Sequence, residues 1–282
     1  MSSSTLAVEL PASDRPTTEA TLIQSVVDVS TPRVARPARV ALVARLAARI
    51  SASTREVAPF ATVDRAVDSI ADRFFRGRRV AIAEPVARRI GASARRLADC
   101  VIAADWRDAW ADATRGTAQA AAFDGLVRAA QDADTLVLTS PFIAEDGAAA
   151  AFSPRDLLRL RARAPKPVLV LDLVDEDLAR APLTQAALLI PGTVILRGFG
   201  RLWRDAGANA AADLGFVAGA PELVAALSAR VARDGADGGV GDGAESVDEE
   251  LAAAAVRDLD RAGIERAVQE AATRTRVPFR GD

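Results

Sequence analysis

PKPVLVLDLVDEDL, residues 165–178, decides how this chain is read. Val168 to Leu171 is a short, unbroken apolar run, entered through Pro165 and Pro167 and left through Asp172. A strand that is apolar on both faces is buried on both faces, as in a parallel sheet covered by helices. Working outward, runs of the same kind recur at RVAIA (79–83), 99–103, TLVLT (135–139), TVIL (193–196) and LGFVA (214–218). Between them, apolar residues at helical spacing predict helices over 86–97, 123–131, 154–162 with Ser153 as N-cap, 184–189 and 221–231. At least six strands alternating with helices predict an α/β fold of three layers around a mostly parallel central sheet.

Two further helices are predicted upstream, over 37–50 and 63–75, the second stopped by Gly77 as its C′ glycine. Residues 1–36 are rich in Ser, Thr and Pro and read as a mobile arm or as an arm that packs on a partner subunit. The core domain is expected over 37–232. GADGGVGDG (235–243) has the look of a phosphate loop, but no strand precedes it, so 233–246 reads as a linker. Residues 247–282 read as a C-terminal helical segment with a break near Gly263.

Composition removes whole classes of chemistry. The 282 residues include no His, no Tyr and one Cys, so Ser-His-Asp and Cys-His nucleophile systems cannot be built within this sequence. Structural zinc, which draws on Cys and His, is excluded on the same ground, and no metal is expected; only a carboxylate site for Mg or Ca stays open. Cys100 lies in an apolar stretch and is expected to be a buried, inert thiol. The net charge of −2 comes from 36 basic and 38 acidic groups scattered along the chain, which argues against nucleic acid and anionic membranes as partners. No secretory signal or membrane-spanning run is evident, so a cytoplasmic protein is expected. Of the basic residues 35 are arginine, and the remaining one is Lys166.

The order TLVLTSPFIAEDG (135–147), SPRDLLRL (153–160), PKPVLVLDLVDEDL (165–178), GTVILRGFGRLWRDAG (192–207) and DLGFVAGAPELVAAL (213–227) resembles the large domain of the fold type I, class I/II aminotransferases. Histidinol-phosphate aminotransferase and threonine-phosphate decarboxylase are the nearest versions, and the resemblance runs from about Leu42 to Leu227. It implies pyridoxal phosphate as cofactor, a dimer, and a lysine that bonds covalently to the cofactor and shuttles the substrate proton.

In the resemblance that lysine's place falls on Arg201, whose guanidinium stays protonated and cannot take the role. Lys166 precedes a strand and so belongs at the wrong edge of the sheet to replace it. The asparagine beside the cofactor falls on Ile143 or a neighbour, the ring-stacking aromatic on Ala87, a tyrosine on Asp175 and the phosphate-binding arginine on or near Asn209. The first phosphate loop corresponds to Ala61 and Thr62. Asp172 matches the aspartate that pairs with the pyridine nitrogen, with Asp175-Glu176 as the rival match, and it also reads as a plain cap of the next turn. Arg197, Arg201 and Arg204 read either as an anion site at the sheet edge or as ion-paired arginines. The family's small domain is expected to be truncated.

The resemblance implies three readings. One is a pseudoenzyme without catalytic residues, serving as an interaction or regulatory subunit paired with itself or with an active relative. The second is a cofactor-dependent aminotransferase acting on an amino acid or amino-acid phosphate. The third is an anion- or phosphometabolite-binding module.

Overall fold

The computed structural model describes residues 38–106, 116–143, 149–176, 182–199, 213–234 and 247–261. Nine strands are described: β1 (Val57–Phe60), β2 (Arg79–Glu84), β3 (Cys100–Asp105), β4 (Thr135–Thr139), β5 (Phe142–Ile143), β6 (Ala149–Ala150), β7 (Val168–Asp172), β8 (Thr193–Gly198) and β9 (Gly215–Gly219). The helices are α1 (Ala38–Arg49), α2 (Val63–Phe74), α3 (Arg88–Leu97), α4 (Gly116–Gln131), α5 (Pro154–Arg163), α6 (Pro182–Leu188), α7 (Pro221–Asp234) and α8 (249–261).

Seven strands form one sheet in the order β1-β9-β8-β7-β4-β2-β3, while β5 and β6 pair as a separate two-stranded ribbon. β3, β2, β4, β7 and β8 are mutually parallel, and β9 runs against both β8 and β1. This is the three-layer α/β arrangement with a mostly parallel sheet that the apolar runs predict. The side-chain period of two divides each central strand between two cores. Leu136, Leu138, Leu169, Leu171 and Ile195 join the core under α1, α4, α5, α6 and α8. Val137, Val170, Val194 and Leu196 join the core under α2 and α3, where Ile70, Phe74, Ile90 and Ala94 meet them. Fully burying one such side chain stabilises the fold by about 1.5–3 kcal/mol, so these central strands anchor both layers.

Local chemistry sets the element ends. Ser153 caps α5, accepting from the Asp156 amide at 3.2 Å while the Asp156 carboxylate accepts from the Ser153 amide at 3.1 Å. Arg161, near the end of α5, donates to the carbonyls of Pro165 (2.8 Å), Pro167 (2.9 Å) and Pro191 (2.7 Å), fastening the entries to β7 and β8. Gly77 has a positive φ of 65° but is not the C′ residue of α2. Phe75 is the C-cap, and the Gly77 amide donates to the Leu97 carbonyl at the end of α3 (3.2 Å).

Two further features differ from what the sequence predicts. β1 is a strand that the apolar pattern does not predict. It is four residues long with Pro59 inside it, and it occupies a sheet edge, where a missing N–H is tolerated. Cys100 is exposed, not buried. It begins β3, the strand at the opposite edge of the sheet, whose residues are exposed or half-buried except Ala104. The arm at 1–36, the linker at 235–243 and the break near Gly263 lie outside the described residues. Among the described residues no helix is long and apolar enough to cross a membrane, and no cluster of three or more His, Cys, Asp or Glu groups is placed to hold a metal.

Candidate functional site

In an open parallel sheet, ligands bind beyond the C-terminal ends of the strands where the chain switches direction across the sheet. Here β2 connects through α3 to β3 on one side, while β4 lies on its other side. By that rule the ligand crevice of this sheet belongs between the C-terminal ends of β2 and β4. The Ala87 amide crosses it to the Thr139 hydroxyl at 2.9 Å, tying the start of α3 to the end of β4. Glu84-Pro85 and Ser140-Pro141, at those two strand ends, are both cis. Gly91 leaves room for the returning chain, because a Cβ there would lie 2.7 Å from Val86 Cγ1.

Asp172 ends β7, opposite Thr139 of β4 and Leu196 of β8 in the sheet register. Strand alternation puts its side chain on the α2/α3 face, with Val170. One carboxylate oxygen, Oδ1, accepts from the Val174 amide (3.2 Å) and from Arg89 Nη2 of α3 (3.4 Å). The other, Oδ2, is buried with no hydrogen-bond partner among the described residues. The side chain is 1% exposed. Burial pushes its carboxyl above the usual aspartate range, opposed by the Arg89 charge and the Val174 amide, with Asp175 adding a smaller push upward. Asp172 thus caps the turn after β7 through one oxygen while presenting a second, unpartnered acceptor.

Thr62 lies at the same C-terminal edge of the sheet. It is the N-cap of α2, and its hydroxyl accepts from the Arg65 amide at 3.2 Å. Two glycines let α2 approach this closely. A Cβ on Gly215 would stand 2.7 Å from Val63 Cα and 2.8 Å from the Thr62 carbonyl, and one on Gly198 would stand 3.0 Å from both Val63 and Val174. The first turn of α2, the end of β8 and the turn after Asp172 therefore meet at one place.

Arg197 belongs elsewhere. It alternates onto the opposite face of the sheet from Asp172, is fully buried, and pairs with Glu176. Glu176 also accepts from the Leu183 amide (3.0 Å) and the Thr184 hydroxyl at the start of α6. Of the two readings of the arginines, Arg197 takes the ion-paired one, and Glu176 is occupied in holding this cluster. Asp175 is exposed in the turn. Arg201, Arg204 and Asn209 lie outside the described residues. Ile143 pairs with Ala149 in the small ribbon.

Lys166 is exposed in the loop before β7, at the edge opposite Asp172. Arg89 is the site residue that sequence reasoning passes over. Its signal was present: α3 opens with Arg88 and Arg89 and has no acidic residue in its first turn, against the preference of a helix N-terminus for negative charge.

No family model and no curated protein sequence matches the chain. Solved structures do. An L-threonine-O-3-phosphate decarboxylase from Porphyromonas gingivalis is 16% identical with a TM-score of 0.53, covering 85% of this chain and 66% of its own. A histidinol-phosphate aminotransferase from Sinorhizobium meliloti, solved in complex with pyridoxal-5'-phosphate, is 16% identical with a TM-score of 0.57, covering 92% of this chain and 65% of its own. A methionine aminotransferase from Escherichia coli is 12% identical with a TM-score of 0.59, covering 86% and 61%. The chain spans just under two thirds of the length of these structures. Its fold is that of the pyridoxal-phosphate-dependent aminotransferases of fold type I, as the order of its sequence elements predicts.

Proposed function

We propose that the chain is a non-transaminating member of the aminotransferase fold, a pseudoenzyme that keeps part of a ligand crevice and serves in an interaction or regulatory role. The observation that carries this reading is the position of the sequence's single lysine. Lys166 sits before β7 and Asp172 ends it, so the strand itself separates them. At about 3.3 Å per residue that is roughly 20 Å, beyond the reach of a lysine side chain.

The residues present fit one half of pyridoxal phosphate's needs. Bound pyridoxal phosphate supplies an electron sink for the bonds at an amino acid's α-carbon. The unpartnered Oδ2 of Asp172 is suited to accept from a ring N–H, and the first turn of α2 behind Thr62 is suited to an anionic group, since its amides and dipole attract negative charge. By resemblance, Arg201 and Asn209 would line the same pocket. The sequence holds no lysine besides Lys166 to supply the uncharged amine that covalent catalysis requires, and an arginine at 201 stays charged. The loss of proton-shuttling chemistry together with retention of an acceptor favours binding over turnover.

Such a chain is suited to pairing with a second copy or with an active aminotransferase of the same fold. The proposal is tested by incubating the purified chain with pyridoxal phosphate and a panel of amino acids, phosphorylated ones included, with 2-oxoglutarate as acceptor. Conversion at the rate of free cofactor is expected; faster conversion that disappears on denaturing the chain refutes the proposal.

A further inference from the structure

Asp172 is the one buried carboxylate among the described residues, and its two oxygens have different surroundings. Among the described residues Oδ1 takes both donors, the Val174 amide at 3.2 Å and Arg89 Nη2 at 3.4 Å, and Oδ2 takes none. Arg89 comes from the first turn of α3, held over the crevice by the Ala87–Thr139 hydrogen bond. Its side chain is 31% exposed, so it reaches from solvent to an acid that solvent does not reach. Among the described residues the other charged group acting on Asp172 is Asp175, in the turn after β7. Its sheet neighbours in register, Thr139 of β4 and Leu196 of β8, carry no charge.

We infer that Arg89 is a positioning residue: its guanidinium supplies the counter-charge that fixes Asp172 through Oδ1 and leaves Oδ2 as the acceptor for an N–H or O–H group on a ligand in the crevice. Since Arg89 brings the positive charge, the ligand group need only donate a hydrogen bond and need not be cationic. When Asp172 is ionised, a carboxylate or phosphate at this spot meets an acceptor with no donor to offer, which excludes it there. An opposite charge at this distance favours the ionised carboxylate, whereas burial alone favours the neutral acid.

The inference rests on Asp172 being the acid of the proposed crevice, so the test is made without cofactor or any other ligand. The full chain carrying ¹³C-labelled aspartate is titrated by NMR, with the Asp172 signal assigned from its loss in Asp172→Asn. In Arg89→Met the titration midpoint of Asp172 moves upward; in Arg89→Lys it returns toward the natural value; in Arg88→Met, the neighbouring arginine on the same turn, it stays in place. An unmoved midpoint in Arg89→Met overturns the inference, and so does an equal rise in Arg88→Met, which would make the effect one of general helix charge. Should Arg89→Met fail to fold, the ¹⁵N guanidinium resonance of Arg89 in Asp172→Asn decides: a shift supports the pair and no shift overturns it. Because cofactor is absent, failure here leaves the proposed function standing, and failure of that proposal in the turnover assay leaves the Arg89–Asp172 pair standing.

Discussion

Lys166 and Asp172 stand at opposite ends of β7, the lysine exposed where the strand begins and the aspartate buried where it ends. The parallel strands β4, β7 and β8 all deliver their C-termini to the aspartate's edge, away from the lysine. Conformational adjustment of a loop does not close a separation imposed by an intact strand.

The buried pair on the other face is expected to matter for stability more than for binding. Arg197 is fully buried against Glu176, and removing one member of a buried ion pair strands the other. Arg197→Met is expected to destabilise the chain by about 3 kcal/mol, whereas Arg197→Met combined with Glu176→Gln loses less than the two single changes added. Urea unfolding of the three variants checks this.

Asp172 gives stability a definite pH dependence. Burial raises its carboxyl above the ordinary aspartate value, so between the ordinary and the raised value the folded chain holds a proton that the unfolded chain has released. The folded state is the one that binds more protons in that window, and stability therefore falls as pH rises through it. Asp172→Asn lacks this fall. Its stability relative to the natural chain is expected to improve from the low to the high side of the window, read from denaturant midpoints at a series of pH values; a constant difference contradicts the assignment.

Much of this was legible in advance and some was not, for physical reasons. TLVLT is legible as the strand Thr135–Thr139, because a central strand buried on both faces leaves a continuous apolar run. Ser153 announced itself as the cap of α5 because its hydroxyl and Asp156 are spaced to satisfy each other's amides. The sheet edges left no such mark. Val57–Phe60 is short and contains proline, and its pairing with β9 is visible only once the chain is folded. Cys100 heads a run that reads as apolar yet lies on an uncovered edge, because sequence does not say which strand ends the sheet. At the site, the strand-terminal position of Asp172 was legible, but its partner was not. Arg89 lies 83 positions away and belongs to a different βα unit.

Two glycines are expected to respond oppositely to alanine. At Gly215 a Cβ would meet backbone atoms of Thr62 and Val63 at 2.8 and 2.7 Å, so Gly215→Ala must push α2 off the sheet edge, at a cost of about 1–3 kcal/mol. At Gly125, inside α4, the nearest atom is a flexible arginine nitrogen at 3.9 Å, and Gly125→Ala is expected to stabilise the chain by about 0.5–1 kcal/mol. Thermal melts distinguish the two directions.

If the chain is the non-transaminating member of the fold proposed above, it lacks an amine where the fold's chemistry requires one. The most direct measurement is borohydride reduction in the presence of pyridoxal phosphate, followed by peptide mass mapping, on the natural chain and on Arg201→Lys. On that reading no saturable adduct is expected on the natural chain, and a stoichiometric adduct is expected at position 201 in the variant. A saturable adduct on the natural chain, accompanied by transaminase turnover, would contradict it.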